Sequence, residues 1–218
     1  MKQSTDCRIE NYSFAKNLSE EEKDLFSAFG SDSRICTPFE SINPQCICIG
    51  NFVSINRDMK MSVFKDITHH IDFIQRHYPG LESRVKQEDY IFEDSNIVIG
   101  DCTSIGRYCF ITAANRVEIG KGVILSDRVY ISDSDHRYEN PDIPILYQSM
   151  TKNGSVVIRD HSFIGVGVTI LNCSIGKHCI IGAHSFVARD IPDYSIAVGT
   201  PAKVVKKYNF KIRSWEKV

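Results

Sequence analysis

The chain has 218 residues, a length that fits one large domain or one domain with a small appendage. Hydrophobic residues make up 42% and charged residues 24%, as in ordinary globular proteins, and the net charge of −1 gives no general attraction to nucleic acids or anionic membranes. No apolar run is long enough to span a membrane, and residues 1–14 lack the apolar core of a secretion signal, so we expect a cytoplasmic protein.

Eight cysteines raise the question of disulfides or a metal. None of their spacings is the C-x2-C of a zinc site, and cytosolic chains rarely keep disulfides. We therefore interpret them as small buried or half-buried residues and expect no metal cofactor.

The first predicted element is a helix over residues 12–30. Ser19 and Glu22 have the spacing of a capping box, and Gly30 is a suitable stop. We assign residues 1–34 to an N-terminal helical cap. A second helical pattern, closed by Pro79-Gly80, lies in an insertion at about 62–92, which we expect to cover the rest of the fold from the side.

An aliphatic residue recurs every six positions through most of the remaining chain, usually followed by glycine. A first fragment has Ile49-Gly50 with Ile55 and Met61 in the same phase. The four later runs are Ile99, Ile105, Ile111; Ile119, Leu125, Ile131; Ile158, Ile164, Ile170; and Ile175, Ile181, Val187.

A period of six fits neither a helix of 3.6 residues per turn nor simple strand alternation. It is typical of a parallel β-helix, in which three hexads form one triangular coil that buries its interior by stacking on its neighbours. The last two runs lie 17 residues apart and should therefore pair in register. We predict a mainly β fold with this domain at 35–207, a loop insertion at 137–155 and a tail at 208–218.

Two stretches resemble the hexapeptide-repeat acyltransferases, most closely sugar O-acetyltransferases of the maltose, galactoside and polysaccharide-modifying type. They are "IGKGVILSDRVYISDSDH" and "IIGAHSFVARDIPDYSIAVGTPAKVVKK". The resemblance implies a left-handed β-helix and a homotrimer, with acetyl-CoA bound in clefts between subunits. It also implies transfer of acetyl to a hydroxyl of a sugar or glycan precursor.

His136 is the candidate catalytic residue. It ends the hexad that begins at Ile131 and directly precedes the loop, where the family keeps its single catalytic histidine. A neutral imidazole is suited to removing a proton from an attacking hydroxyl. Asp133, Asp135 or a main-chain carbonyl is expected to orient the ring. The alternative is an exposed loop histidine.

The resemblance also implies further site residues. The N–H of Val166, after Gly165, would stabilise the oxyanion. Other acetyl-CoA contacts would come from Ala183, Ala188, Arg189, Lys203 and Lys206. On the acceptor side the candidates are Asn115, Asp133 and Tyr138, with Tyr147 able either to stack on a sugar or to pack the loop.

Other functions remain open at this point. An antibiotic acetyltransferase of the streptogramin or chloramphenicol type would share the fold and the histidine. A γ-class carbonic anhydrase would use several histidines on one zinc, and the chain has His161, His178 and His184 at equivalent hexad positions. Of these, His161 and His178 should stack on adjacent coils. A non-enzymatic β-helical scaffold would leave His136 idle.

Overall fold

The computed structural model describes residues 16–81 and 84–218, and short strands dominate it. Eighteen of the strands form six coils of three strands each. In chain order these are β1 Ala28–Phe29, β2 Arg34–Ile35, β3 Phe39–Ile42; β4 Ile47–Ile49, β5 Ser54–Ile55, β6 Met59–Val63; β7 Asn96–Ile99, β8 Ser104–Ile105, β9 Phe110–Ala113; β10 Arg116–Ile119, β11 Ile124–Leu125, β12 Tyr130–Ser132; β13 Ser155–Ile158, β14 Phe163–Ile164, β15 Thr169–Leu171; and β16 Ser174–Ile175, β17 Ile180–Ile181, β18 Phe186–Val187.

The coils stack so that every third strand shares a parallel sheet, which gives the prism three faces. The first strands of the coils form face I, the second strands face II and the third strands face III. The corners between them are named I–II, II–III and III–I. Ile158 pairs with Ile175 and Ile164 with Ile181, as the spacing of 17 predicts. The predicted left-handed parallel β-helix of hexapeptide repeats is thus confirmed as the fold class.

The aliphatic residue of each hexad points into the prism. The members at 99, 105, 111, 158, 164 and 170 are all 0 or 1% exposed. Two coil cysteines, Cys109 and Cys173, share this interior, and burial raises the pKa of the Cys109 thiol to about 11 and that of Cys173 to about 12. These cysteines act as small core residues, whereas Cys102 is exposed at a corner.

The predicted N-terminal helix is wrong in extent. The capping box of Ser19 and Glu22 is present, but α1 spans only Glu20–Lys23. The chain then enters the first coil, where Phe29 pairs with Ile49, so the β-helix begins before residue 35. Gly30 is a corner residue, since a Cβ there would overlap the backbone of Gly50. Sheet pairing outweighs helix propensity here, and residues 12–15 of the prediction lie outside the described part.

Within its described residues, the insertion contains one α-helix, α2 at His69–His77, which ends just before Pro79-Gly80. Residues 62–63, placed in the insertion by sequence, instead complete β6. The insertion is closed by an antiparallel bridge between Asp66 and Ile91, after which the chain returns to β7. A short 3-10 helix, Gln87–Tyr90, precedes that return.

The C-terminal segment forms an antiparallel extension of face II. Strand β19 Ser195–Gly199 pairs with β17, β20 Ala202–Asn209 pairs with β19, and β21 Ser214–Lys217 pairs with β20. The predicted boundary at 207 therefore falls inside β20, and the expected tail is the last strand of a hairpin. Among the described residues, no helix is both long and apolar enough to cross a membrane.

Candidate active site

The III–I corner is where the chain leaves the β-helix after β12 and rejoins it at β13. Asp133, 0% exposed, anchors this departure: its two carboxylate oxygens accept the backbone N–H groups of Ala114 and Asn115 at 2.7 and 2.8 Å. The side chain of Asn115 donates to the carbonyl of Gly154 at 2.6 Å, which ties the end of the loop to the coil below. Both residues thus hold the base of the loop together.

Burial raises the pKa of the Asp133 carboxyl, and the backbone N–H donors act in the opposite direction. Because both carboxylate oxygens accept hydrogen bonds from backbone N–H groups, Asp133 stabilises the corner. Asp135 lies at the edge of a neighbouring cavity, and its backbone exchanges hydrogen bonds with Thr151.

His136 is exposed and forms an antiparallel bridge with Met150 across the base of the loop. Alternate residues of this segment, Asp135, Arg137 and Glu139, line a polar cavity of about 910 Å³. Because successive side chains of an extended strand face opposite sides, His136 and the exposed Tyr138 belong to the other side of the loop.

The insertion packs against this loop, and we call residues 64–81 and 84–95 together with the loop 133–154 the lateral wall. The rings of Phe73 in α2 and Tyr147 stack at 4.1 Å between centroids, with an angle of 17° between their planes. The hydroxyl of Tyr90 donates to the Tyr147 carbonyl at 2.8 Å. Arg137 also forms an ion pair with Asp89 at 3.3 Å. Tyr147 therefore packs the loop down, the second of its two expected roles.

Val166 lies at the II–III corner, next to the buried Gly165. Two coils earlier at the same corner, the N–H of Arg107 donates to the carboxylate of Asp127 in the next coil at 2.8 Å. In the coil that follows Val166, the equivalent position is Ala183, whose backbone approaches Gly165 as that of Asp127 approaches Gly106. Since alanine carries no carboxylate, the N–H of Val166 has no such partner in the described chain.

The remaining expected acetyl-CoA contacts are distributed over the surface. Ala183 is exposed at the II–III corner, and Ala188 and Arg189 are exposed at the III–I corner. Lys203 and Lys206 lie in β20, opposite Val198 and Ile196 of β19, with Lys203 exposed and Lys206 half-buried.

A single chain does not bring all these residues together. His136 and Arg189 lie at one end of face III, and Val166 and Ala183 lie at the other. Six residues separate equivalent corner positions, which at about 3.3 Å per residue corresponds to roughly 15–20 Å. One subunit alone therefore leaves His136 far from the N–H of Val166.

The three histidines considered for a zinc site, His161, His178 and His184, do not lie at one corner. His161 and His178 lie on adjacent coils at the I–II corner, as their spacing predicts, with ring centroids 5.0 Å apart and planes tilted by 34°. His184 lies at the II–III corner, beside Gly167. In residues 16–81 and 84–218, no group of three or more His, Cys, Asp or Glu side chains is arranged to hold a metal ion.

Two features were not predicted from the sequence. The first is the capping of coil corners by carboxylates such as that of Asp127, although the sequence does show aspartates just after the turns. His70 in α2 was not identified either, and its ring lies with its centroid 6.0 Å from that of Tyr147 in the loop. No local pattern marks His70, because Tyr147 lies far along the chain.

No protein-family model matches the chain. It is 41% identical over 124 residues to a protein of Mycobacterium tuberculosis named as a probable acetyltransferase, covering 56% of this chain and 40% of that one. It is 31% identical over 129 residues to an Escherichia coli protein named "Putative lipopolysaccharide biosynthesis O-acetyl transferase", covering 56% and 65%. The chain thus spans less than two thirds of the length of these two relatives.

A third relative is the Escherichia coli dTDP-4-amino-4,6-dideoxy-D-glucose acyltransferase, 30% identical over 131 residues, with 57% of this chain and 68% of the relative covered. Among solved structures, a variant of AntD, an N-acyltransferase from Bacillus cereus, superposes with a TM-score of 0.66 at 22% identity over 91% of this chain and 94% of AntD. That structure holds dTDP-4-amino-4,6-dideoxyglucose and coenzyme A, and its likeness shows the shared fold. By its hexapeptide coils and its similarity to these proteins, the chain belongs to the hexapeptide-repeat acyltransferase family.

Proposed function

We propose that the protein is an O-acetyltransferase that moves acetyl from acetyl-CoA to a hydroxyl of a sugar or glycan precursor, with His136 as general base. The observation that carries this proposal is the arrangement of the coil corners. His136 is exposed where the chain leaves the III–I corner. At the II–III corner, the backbone N–H of Val166 has no capping carboxylate within the described chain.

In the proposed reaction, the neutral imidazole of His136 takes the proton of the acceptor hydroxyl as its oxygen attacks the thioester carbonyl carbon. The carbonyl oxygen becomes an oxyanion, which accepts a hydrogen bond from the N–H of Val166. Collapse of the intermediate breaks the carbon–sulfur bond. The proton passes from the imidazolium to the departing sulfur, which gives the acetyl ester, CoA and the original imidazole.

The distance between the two corners supports a site formed between subunits. His136 of one copy would meet Val166, Gly165 and Ala183 of its neighbour, and three such contacts would close a homotrimer. The pantetheine arm would follow the small residues Ala183 and Ala188 along the coils. Arg189, Lys203 and Lys206 would supply positive charge for the CoA phosphates.

On the acceptor side, the lateral wall would hold the sugar against His136. Tyr138 is 72% exposed and is available to stack on a sugar ring. Asn115 and Asp133 would act indirectly, since their polar atoms hold the base of the loop.

A second candidate is N-acylation of a nucleotide-linked amino sugar, with the same base and oxyanion donor. It is favoured by the 30% identity to the Escherichia coli acyltransferase, whose name specifies a dTDP-linked amino sugar. An acceptor panel that contains both amino and hydroxyl sugars separates the two candidates.

The test is release of CoA thiol from acetyl-CoA, followed with a thiol reagent, against free hexoses, methyl glycosides, and UDP- and dTDP-linked sugars with and without an amino group. We expect acceptor-dependent release, and His136→Asn should lower kcat by about 100- to 10,000-fold. The matched control is His161→Asn, because His161 is an exposed corner histidine with φ of 61°, which asparagine tolerates.

The control variant should keep the wild-type rate. Unchanged release in His136→Asn would contradict the assignment of the base, and no acceptor-dependent release from any sugar would contradict the function as a whole. Sedimentation of the wild-type protein checks the trimer, and a monomer with full activity would contradict a site shared between subunits.

A further inference from the structure

The hairpin of β20 and β21, residues 202–218, carries a positive charge that the rest of the chain does not share. It contains six lysine or arginine residues and one glutamate, which gives a net charge of +5. Since the whole chain has a net charge of −1, the remaining residues together carry −6. The small overall charge therefore hides a basic surface at one end of the coil stack.

The protein itself does not neutralise this charge. None of the six cations forms an ion pair with any residue of the described chain. Glu216 pairs with Lys207 across the strands, but its carboxylate accepts a hydrogen bond from the side chain of Asn209 at 2.8 Å. Lys206 and Lys217 lie directly opposite each other, an arrangement in which like charges repel. An anionic partner would relieve this repulsion.

The turn of the hairpin exposes two large apolar side chains among these charges. All residues from 210 to 214 are exposed, with Phe210 at 62% and Ile212 at 58%. They alternate along the chain with Lys211 and Arg213. Exposed apolar side chains next to lysine and arginine are typical of segments that bind a membrane surface. The apolar groups enter the boundary between headgroups and acyl chains, and the cations meet anionic headgroups.

The turn is held in a fixed shape by the residues around it. The side chain of Asn209 bonds both to a backbone N–H inside the turn and to a carboxylate of β21. The ring of Phe210 packs edge-on against those of Tyr194 and Tyr208, at 4.8 and 5.1 Å between centroids. Tyr208 also packs against Trp215, at 5.4 Å. Tyrosine and tryptophan favour the membrane–water interface, so an aromatic layer suited to headgroups lies behind the exposed turn.

The turn lies at the I–II corner. The backbone N–H of Tyr208, just before the turn, donates to the carbonyl of Tyr194 at 3.0 Å, and the ring of Tyr194 stacks on His178 of that corner. His136 and Val166 lie at the two ends of face III, which this corner does not border. A surface bound at the hairpin therefore leaves both halves of the proposed catalytic site free.

We propose that the hairpin docks the protein on an anionic lipid bilayer, with Phe210 and Ile212 at the boundary of the acyl chains and the cations among the headgroups. This inference goes beyond the proposed function and does not depend on it. A nucleic acid would also neutralise the cations, but the aliphatic side chain of Ile212 cannot stack on bases as an aromatic ring does. A bilayer surface accommodates both the cations and the aliphatic group.

The first experiment is sedimentation of the full chain with vesicles of phosphatidylcholine alone or mixed equally with phosphatidylglycerol. We expect binding to the anionic vesicles only, and binding about 10-fold weaker in about 500 mM than in about 50 mM NaCl. Lys211→Gln/Arg213→Asn should weaken it about 10-fold. The control, Lys121→Gln/Arg128→Asn, removes the same charge from exposed residues and should bind as wild type. Arg128 and Arg213 have φ of 61° and 52°, which asparagine tolerates.

The apolar contact is tested with Ile212→Ser, which should weaken binding to the anionic vesicles about 5-fold at either salt concentration. Ile124→Ser is the matched control, since Ile124 is an isoleucine 49% exposed on face II, and it should bind as wild type. Circular dichroism checks that each variant is folded. Equal binding by Ile212→Ser and wild type would overturn the proposal, and so would equal losses in the hairpin variants and their controls.

A second measurement needs no variant, because Trp215 in β21 is the only tryptophan of the chain. Anionic vesicles whose acyl chains are brominated near the headgroup should quench its fluorescence relative to unbrominated vesicles. Binding without quenching would place the contact on another surface and overturn the proposal. No binding to anionic vesicles at low salt would also overturn it, as would tighter binding to single-stranded DNA than to these vesicles. The thiol-release assay with sugars tests the proposed function separately.

Discussion

The coil stack and the lateral wall are built on different principles. In the stack, fully buried aliphatic residues repeat at one hexad position, and each pairs with its equivalent in the next coil. In the wall, stability comes from single contacts between distant segments, such as Tyr90 with Tyr147 and Phe73 with Tyr147. Phe92 and Met150 of the wall form a small buried apolar cluster with Ala114 at the end of β9.

This difference separates stability from chemistry within one domain. The stack gains from every coil that is added, because each coil buries its neighbours. The wall buries fewer apolar side chains, among them Ile74, Phe92 and Ile143, and adds polar and aromatic contacts between its segments. Substitutions in the stack should therefore act on unfolding, and substitutions in the wall should act on the acceptor.

The largest effect is expected where the two regions join, at Gly154. A Cβ there would overlap the Asp133 carbonyl oxygen and the Oδ1 atom of Asn172, so Gly154→Ala must displace the base of the loop. We expect a loss of about 3 kcal/mol in the free energy of unfolding. The displacement of His136 should also lower kcat by about 100-fold.

Ser155→Ala is the control for this change, since Ser155 is the adjacent exposed residue and should stay within about 0.5 kcal/mol of wild type. Denaturant unfolding and the thiol-release assay provide both measurements. Wild-type stability and rate in Gly154→Ala would show that the loop is not anchored at this corner.

The next effect concerns the stack alone, through two adjacent valines of β13. Val156 is 0% exposed, whereas Val157 points outward and is half-buried. Val156→Ala should lower the free energy of unfolding by about 2 kcal/mol, because it removes two buried methyl groups and leaves a cavity. Val157→Ala should cost less than about 1 kcal/mol. Equal costs in denaturant unfolding would mean that the inward hexad face does not dominate stability.

The smallest effect concerns the wall alone, through the Phe73–Tyr147 stack. A double-mutant cycle with Phe73→Ala and Tyr147→Ala should give a coupling energy of about 1 kcal/mol. The Tyr147 carbonyl that accepts from Tyr90 remains in the variant, so the cycle isolates the rings. Both single variants should raise KM for the acceptor more than KM for acetyl-CoA. A coupling energy of zero in unfolding measurements would show that α2 is held to the loop by other contacts.

The sequence predicted the stack well because its rule is local and repeated. The phase from Ile99 to Val187 fixes which side chains are inside, and the spacing of 17 fixes the register of the last coils. The same rule failed at the N-terminus, where a capping box and acidic residues suggested a long helix. There Phe29-Gly30 is a single match to the hexad pattern, which is too little to recognise from sequence. The pairing of Phe29 with Ile49 decided the structure.

The residues of the candidate site also differ in whether the sequence predicts their roles. The break of the repeat after Ile131 marked His136 from sequence, and the residues of the closing coils followed from the family resemblance. The role of Asn115 and Asp133 in anchoring the loop could not be predicted, because it depends on Gly154 returning to the same corner.

By itself, the sequence determined the coil interior, the registers and the position of the histidine at a corner, since these follow from a six-residue period. Only the tertiary structure decided that the insertion packs against the loop and that the ring of His70 lies near that of Tyr147. It also decided that His136 and Val166 occupy opposite ends of face III. The physical reason is that these relations depend on contacts between segments some 60 residues apart, or on which corner a residue occupies once the coils close.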